Sequence, residues 1–137
     1  DEVFGAVSIL LLALASISLV VGGVGIMNVM FVAMEERVTE IGLRKSLGAR
    51  SRDVLRQFLV EAVVISLAGA ILGLIIGVAL VGAIIFALGQ FGIEVAFGVT
   101  PDSIIVAVGF SVIAGLVFGV YPAWRASHIA PTEAMRG

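Results

Sequence analysis

At 137 residues the chain has room for one modest domain, but 61% hydrophobic residues, 13% charged residues and a mean hydropathy of +1.23 describe a membrane protein, not a soluble one. A net charge of −2, with no basic patch interleaved with aromatics, excludes nucleic acid as a partner. The absence of cysteine excludes disulfides and cysteine metal sites.

The first apolar run, Val3 to Ala33, carries no formal charge. As a helix it would be about 45 Å long against a hydrocarbon core of roughly 30 Å, so it must tilt or protrude. A signal peptide would have a shorter apolar region behind a basic segment, and none precedes this one. The chain opens on Asp1 and Glu2 instead of methionine, and is expected to be cut from something longer.

Glu35 to Glu61 follows as a charged island between oily runs. It holds Arg37, Arg44, Lys45, Arg50, Arg52 and Arg56, six of the eight basic residues. Two short helices around a break are expected. Glu40 and Arg44 are four apart with the acid first, the favourable helical order. Gly48 can end the first helix. Ser51 is placed to cap the second, with Asp53 in its first turn. Val54, Leu55, Phe58, Leu59 and Ala62 share one face of that second helix, and Arg52, Asp53, Arg56, Gln57 and Glu61 the other. Such a helix lies at a membrane surface or against another protein.

The second apolar run extends from Val60 to Leu88, and Gly89–Ser103 reads as a loop. The third run, Ile104 to Tyr121, is expected to stop at Pro122. The tail beyond it leaves the bilayer, with Pro131 placed to start a short helix. The expectation is therefore an all-α membrane protein with three transmembrane helices, near residues 3–34, 60–88 and 103–121. A cytoplasmic coupling helix lies in segment 35–59 between the first two, an extracytoplasmic loop covers 89–102, and a cytoplasmic tail covers 122–137.

All eight Lys and Arg fall in the island or in the tail after Pro122. The positive-inside rule then places the island and the C-terminus in the cytoplasm, and the N-terminus and the second loop outside. Tyr121 and Trp124 suit the inner interface. Gly69, Gly73 and Gly77 recur on one face of the second span, and Gly115 and Gly119 on the third. Rows like these let membrane helices approach closely.

Catalytic chemistry is not encoded. Gly22, Gly23 and Gly25 are not followed by the Gly-Lys-Ser/Thr of a phosphate loop. His128 is the only histidine, so no histidine cluster can hold a metal. Ser16, Ser18, Ser66 and Ser111 have no histidine or lysine within their spans to act as a base, and they read as serines bonded to their own helix or bridging to a neighbour. No span carries a central ionisable residue. Glu61, at the inner edge, reads as solvated or paired with an arginine.

The stretch GGVGIMNVMFVAMEERVTEIGLRKSLGARSRDVLRQFLVEA resembles the second transmembrane helix and coupling segment of the MacB/FtsX-type ABC transporter permeases. The tail YPAWRASHIAPTEAMRG resembles the end of the same domain, and together the two motifs cover essentially the whole chain. Gly22-Gly23-Val24-Gly25-Ile26-Met27-Asn28 is most similar to the macrolide and antimicrobial-peptide exporter branch. Family members have a first span and a large extracytoplasmic domain that this sequence does not include.

The resemblance implies a non-catalytic permease subunit in a bacterial inner membrane. It implies that no cofactor is bound directly, and that ATP and Mg sit on a partner ABC ATPase. Export of antibiotics, peptides or similar compounds would follow from relaying ATPase closure across the bilayer to an outer domain. A division-type scaffold that activates an extracytoplasmic enzyme without transport, a lipoprotein-release permease, and a simple membrane anchor are the alternatives. The other partners implied are a second permease copy, membrane lipid and a periplasmic or extracellular adaptor. Val38, Ile41 and Leu47 would supply apolar docking contacts to the ATPase, with Arg37, Glu40, Arg44 and Lys45 setting register, Gly42 and Gly48 as close-approach points (Gly48 equally a plain helix stop), and Ala49 in the same coupling segment. The dimer contact would use small residues such as Ala13, Ser16, Gly69 and Gly73.

Overall fold

The computed structural model describes residues 2–93, 96 and 98–130. Among these residues four helices follow one another: α1 (Glu2–Glu36), α2 (Val38–Ser46), α3 (Ser51–Gln90) and α4 (Pro101–Ser127). Among the described residues there is no strand. Helices α1, α3 and α4 are each long and apolar enough to cross a membrane. The short helix expected from Pro131 lies outside the described residues, as does Glu94 of the second loop.

Several of the expected boundaries move. The second half of the charged island is not a separate surface helix. It is the first part of α3, which runs unbroken for 40 residues from the island into the apolar run. Nothing in Val54–Glu61 breaks a helix, so the polar segment and the span share one hydrogen-bond ladder. The third span does not stop at Tyr121 either, because α4 passes through Pro122 to Ser127. Proline deprives the Phe118 carbonyl of its usual donor and crowds it. Pro122 is fully buried at a helix junction, the setting in which neighbouring helices make such a residue tolerable.

The breaks that do occur have local causes. Gly48, at φ +100°, turns the chain after α2, and the amides of Gly48 and Ala49 return to the carbonyls of Lys45 and Arg44 at 3.0 Å each. Arg50, not Ser51, is the residue before the first turn of α3, and its amide donates to Asp53 Oδ2 at 3.2 Å. At the other end of the bundle, Thr100 Oγ1 accepts from the Ser103 amide at 3.3 Å and the Thr100 amide donates to Ser103 Oγ at 3.2 Å. With Pro101 in the first turn, these reciprocal bonds start α4 two residues earlier than expected.

The core lies at one end. Met30 and Met34 of α1, Ile41 of α2, Val54, Phe58 and Ala62 of α3, and Ala123 and Ala126 of α4 are its buried members. All of them belong to the halves of the helices nearest α2. Close approach there is set by small residues. A Cβ on Gly115 would overlap the Ser66 side chain, one on Gly119 would overlap Ala62, and one on Gly23 would overlap the Phe118 ring. Residues 2–18 of α1 are exposed throughout.

Candidate coupling surface and its latches

Helix α2 has two faces at helical spacing. Val38, Ile41, Gly42 and Lys45 turn inward; Ile41 is only 5% exposed and Gly42 is buried. Thr39, Leu43, Ser46 and Leu47 turn outward. Leu43 is 60% exposed and Leu47 81%. Leu43 on the nine-residue helix and Leu47 at its C-cap, four residues on, with the opposite face held by the rest of the chain, form a bare apolar contact.

The charges around α2 hold it in place. Arg37, in the bend between α1 and α2, pairs with Glu61 of α3 at 2.8 Å, an arginine-paired Glu61 as expected from sequence. Arg44 pairs with Glu40 at 2.5 Å and donates to Gln57 Oε1 of α3 at 3.1 Å. Gln57 reaches Glu61 at 3.4 Å. Lys45 Nζ donates to the backbone carbonyls of Ser127 and, at 3.0 Å, Ile129. The exposed pairs among these, Arg37–Glu61 and Arg44–Glu40, are each worth about 0–1 kcal/mol, so what they set is orientation.

Sequence reasoning therefore grouped residues that the structure separates. Ile41 and Gly42 lie in the core and Val38 is half-buried, so an outside partner meets Leu47 but not Ile41. Arg37, Glu40, Arg44 and Lys45 are bonded within the chain. Gly48 makes the turn, with open space beside it, and Ala49 is half-buried. Leu43 was missed. Its four-residue spacing from Leu47 is visible in the sequence, but which face of α2 meets α3 and α4 is not.

The helix-packing residues divide too. Gly115 and Gly119 lie against α3, whereas Gly69, Gly73 and Gly77 face open space. Gly69 and Gly73 line an apolar groove of about 550 Å³ together with Ser18, Leu19 and Gly22 of α1. Ala13 and Ser16 are exposed higher on α1, outside that groove. Ser16 bonds its own helix at the Leu12 carbonyl, 2.8 Å away; Ser66 and Ser111 likewise bond the Val63 and Ala107 carbonyls, each at 2.9 Å. Trp124 and Tyr121 are about half exposed near the α2 end. Tyr121 meets Phe31 edge to face, and Arg125 sits 5.5 Å over the same Phe31 ring. Among the described residues no cluster of metal-binding side chains occurs.

Residues 5–131 match the family described as FtsX-like permease C-terminal. The macrolide export ATP-binding/permease protein MacB of Bdellovibrio bacteriovorus is 50% identical over 129 residues, covering 94% of this chain and 19% of that protein. MacB of Syntrophobacter fumaroxidans is 46% identical over 127 residues, covering 93% of this chain and 17% of its own length. The pyoverdine export ATP-binding/permease protein PvdT of Pseudomonas entomophila is 43% identical over 130 residues, with 95% and 19% covered. The chain thus spans less than a fifth of the length of these relatives. With a profile match over nearly its whole length and three membrane-length helices, the chain is a membrane protein of the FtsX-like permease C-terminal family.

Proposed function

We propose that this chain is the membrane-spanning and coupling part of an ABC export permease. Helix α2 seats on an ATPase, separate or fused, which binds ATP and Mg. The three spans relay its movement to an extracytoplasmic domain, and the cargo belongs to the class of antibiotics, peptides or similar compounds. The relatives' names, which join ATP binding, permease and export of a macrolide or pyoverdine, support this reading. Ser16, Ser18, Ser66 and Ser111 have no histidine or lysine within their apolar runs, which supports a non-catalytic role for those runs.

The observation that carries the proposal is the exposed Leu43–Leu47 pair on a helix anchored by its other face. The distribution of basic residues favours a cytoplasmic α2 in a bacterial inner membrane. A second permease copy would cover the open faces of α1 and α3, and a periplasmic or extracellular adaptor would meet the outer domain.

Leu43→Asp and Leu47→Asp in the full-length transporter test the docking face. Truncated apolar anchors at interface centres often cost over about 2 kcal/mol. Each variant should therefore lose co-purifying ATPase and permease-stimulated turnover, or lose interdomain coupling where the ATPase is fused, at unchanged yield and thermal stability. Normal recovery and turnover in both variants would return α2 to the status of a solvated connector.

A further inference from the structure

We propose that Lys45 is a positioning residue that makes α4 follow α2. On this view the coupling helix moves the last span through a hydrogen-bonded latch. The inference rests on the reading of α2 as the ATPase seat.

Chain connectivity ties α2 to α1 through Arg37 and to α3 through residues 47–50, but α4 is more than fifty residues away along the chain. Beside the apolar packing of Ile41 in the core it shares with Ala123 and Ala126, Lys45 supplies a direct hydrogen-bonded tie. The last four carbonyls of a helix have no partner inside it. In α4, Trp124 O accepts from Ser127 Oγ at 2.7 Å and lies 2.8 Å from His128 Nδ1. Arg125 O accepts from the His128 amide at 3.1 Å, and Ala126 O from the Ile129 amide at 3.4 Å. Ser127 O, the last of the four, accepts from Lys45 Nζ, which also donates to Ile129 O at 3.0 Å. The ammonium thus completes the cap and places a positive charge at the negative end of the α4 dipole.

The surroundings favour a durable link. Ala126 and Ser127 are buried beside it, and a charged donor in a sheltered place makes a stronger hydrogen bond than one in water. Arg44, the neighbouring cation, is taken by Glu40 and Gln57 and does not compete. From its latched end α4 runs along both other spans, with Gly115 and Gly119 against Ser66 and Ala62 and Phe118 against Gly23. A displacement of α2 delivered to α4 therefore reaches the whole bundle.

The test uses the full-length transporter with its ATPase in lipid nanodiscs, carrying Lys45→Met, Lys45→Arg or Leu43→Asp. Lys45→Met should keep ATPase binding and turnover, while export per ATP hydrolysed falls about tenfold, a typical coupling factor. Lys45→Arg, which keeps the donors, should restore most of it. Spin labels at Ser46→Cys and Trp124→Cys on the otherwise native protein should keep one distance between nucleotide-free and ATP-bound states.

Export per ATP unchanged in Lys45→Met would overturn the latch. So would a label displacement of about one helical turn, 5.4 Å, between states. Loss of ATPase binding or turnover in Lys45→Met, as expected for Leu43→Asp, would make Lys45 a docking contact instead. If Leu43→Asp keeps its ATPase coupling, the seat is wrong, and the label distance still decides whether α4 follows α2. Should Lys45→Met fail to assemble, that same distance alone decides the matter.

Discussion

Ile41 shows how much one residue's meaning depends on its surroundings. Its sequence position, in a charged segment with few apolar neighbours, marks it as a contact for something outside. In the folded chain it is 5% exposed and belongs to the core with Met34, Val54 and Ala126. Truncating a buried isoleucine to alanine costs about 2–5 kcal/mol. Ile41→Ala is therefore expected to lower the thermal stability of the solubilised protein, and Ile41→Asp to prevent assembly by burying an unpaired carboxylate. A melting temperature for Ile41→Ala equal to that of the parent would place Ile41 on the surface after all. Leu47, 81% exposed, should show the opposite pattern, with stability kept and coupling lost.

At the scale of elements, glycines that look alike in sequence divide into those that hold this chain together and those that leave it open. Gly23 accepts the Phe118 ring of α4, whereas Gly73 has nothing within 4 Å of where a side chain would begin. Overpacking a filled contact typically costs about 1–3 kcal/mol. Gly23→Leu should accordingly separate α1 from α4 and lower the melting temperature. Gly73→Leu should leave the melting temperature of the single chain unchanged and, if α3 meets a second copy there, weaken crosslinking between copies. Equal effects of the two substitutions on stability would contradict this division. The same scale explains the continuity of α3. Its polar first turns and apolar remainder carry different side chains on one backbone ladder, so a push on Val54 or Phe58 is a push on the span.

For the whole molecule, the packed end and the open end have different work to do. The core gathers around α2, and residues 2–18 of α1 stand exposed. In the proposed orientation the packed end faces the cytoplasm, and the open groove lined by α1, α3 and α4 faces lipid or a second copy. Cysteine labelling in intact cells checks the orientation. Gly92→Cys should react with a membrane-impermeant reagent and Ser51→Cys should be protected until the cells are opened. The reverse pattern would invert the topology and remove α2 from the reach of a cytoplasmic ATPase.

The sequence by itself determined that there are three spans and that a charged helix separates the first two. These follow from composition, run length and the placement of charge, which act locally and leave a direct trace in residue order. The MacB/FtsX resemblance was visible on the same footing, because the island motif is contiguous. Only the tertiary structure decided which face of α2 is spoken for. Val38, Ile41 and Lys45 recur at the same helical spacing as Leu43 and Leu47, and the choice between the two faces depends on where α3 and α4 lie. Likewise, no local rule carries α4 through Pro122, because the burial that makes proline acceptable there comes from other helices. Lys45 reaching the end of α4 is the same kind of fact: a bond across more than eighty residues of chain leaves no mark on the sequence around either partner, since its geometry exists only once the bundle has closed.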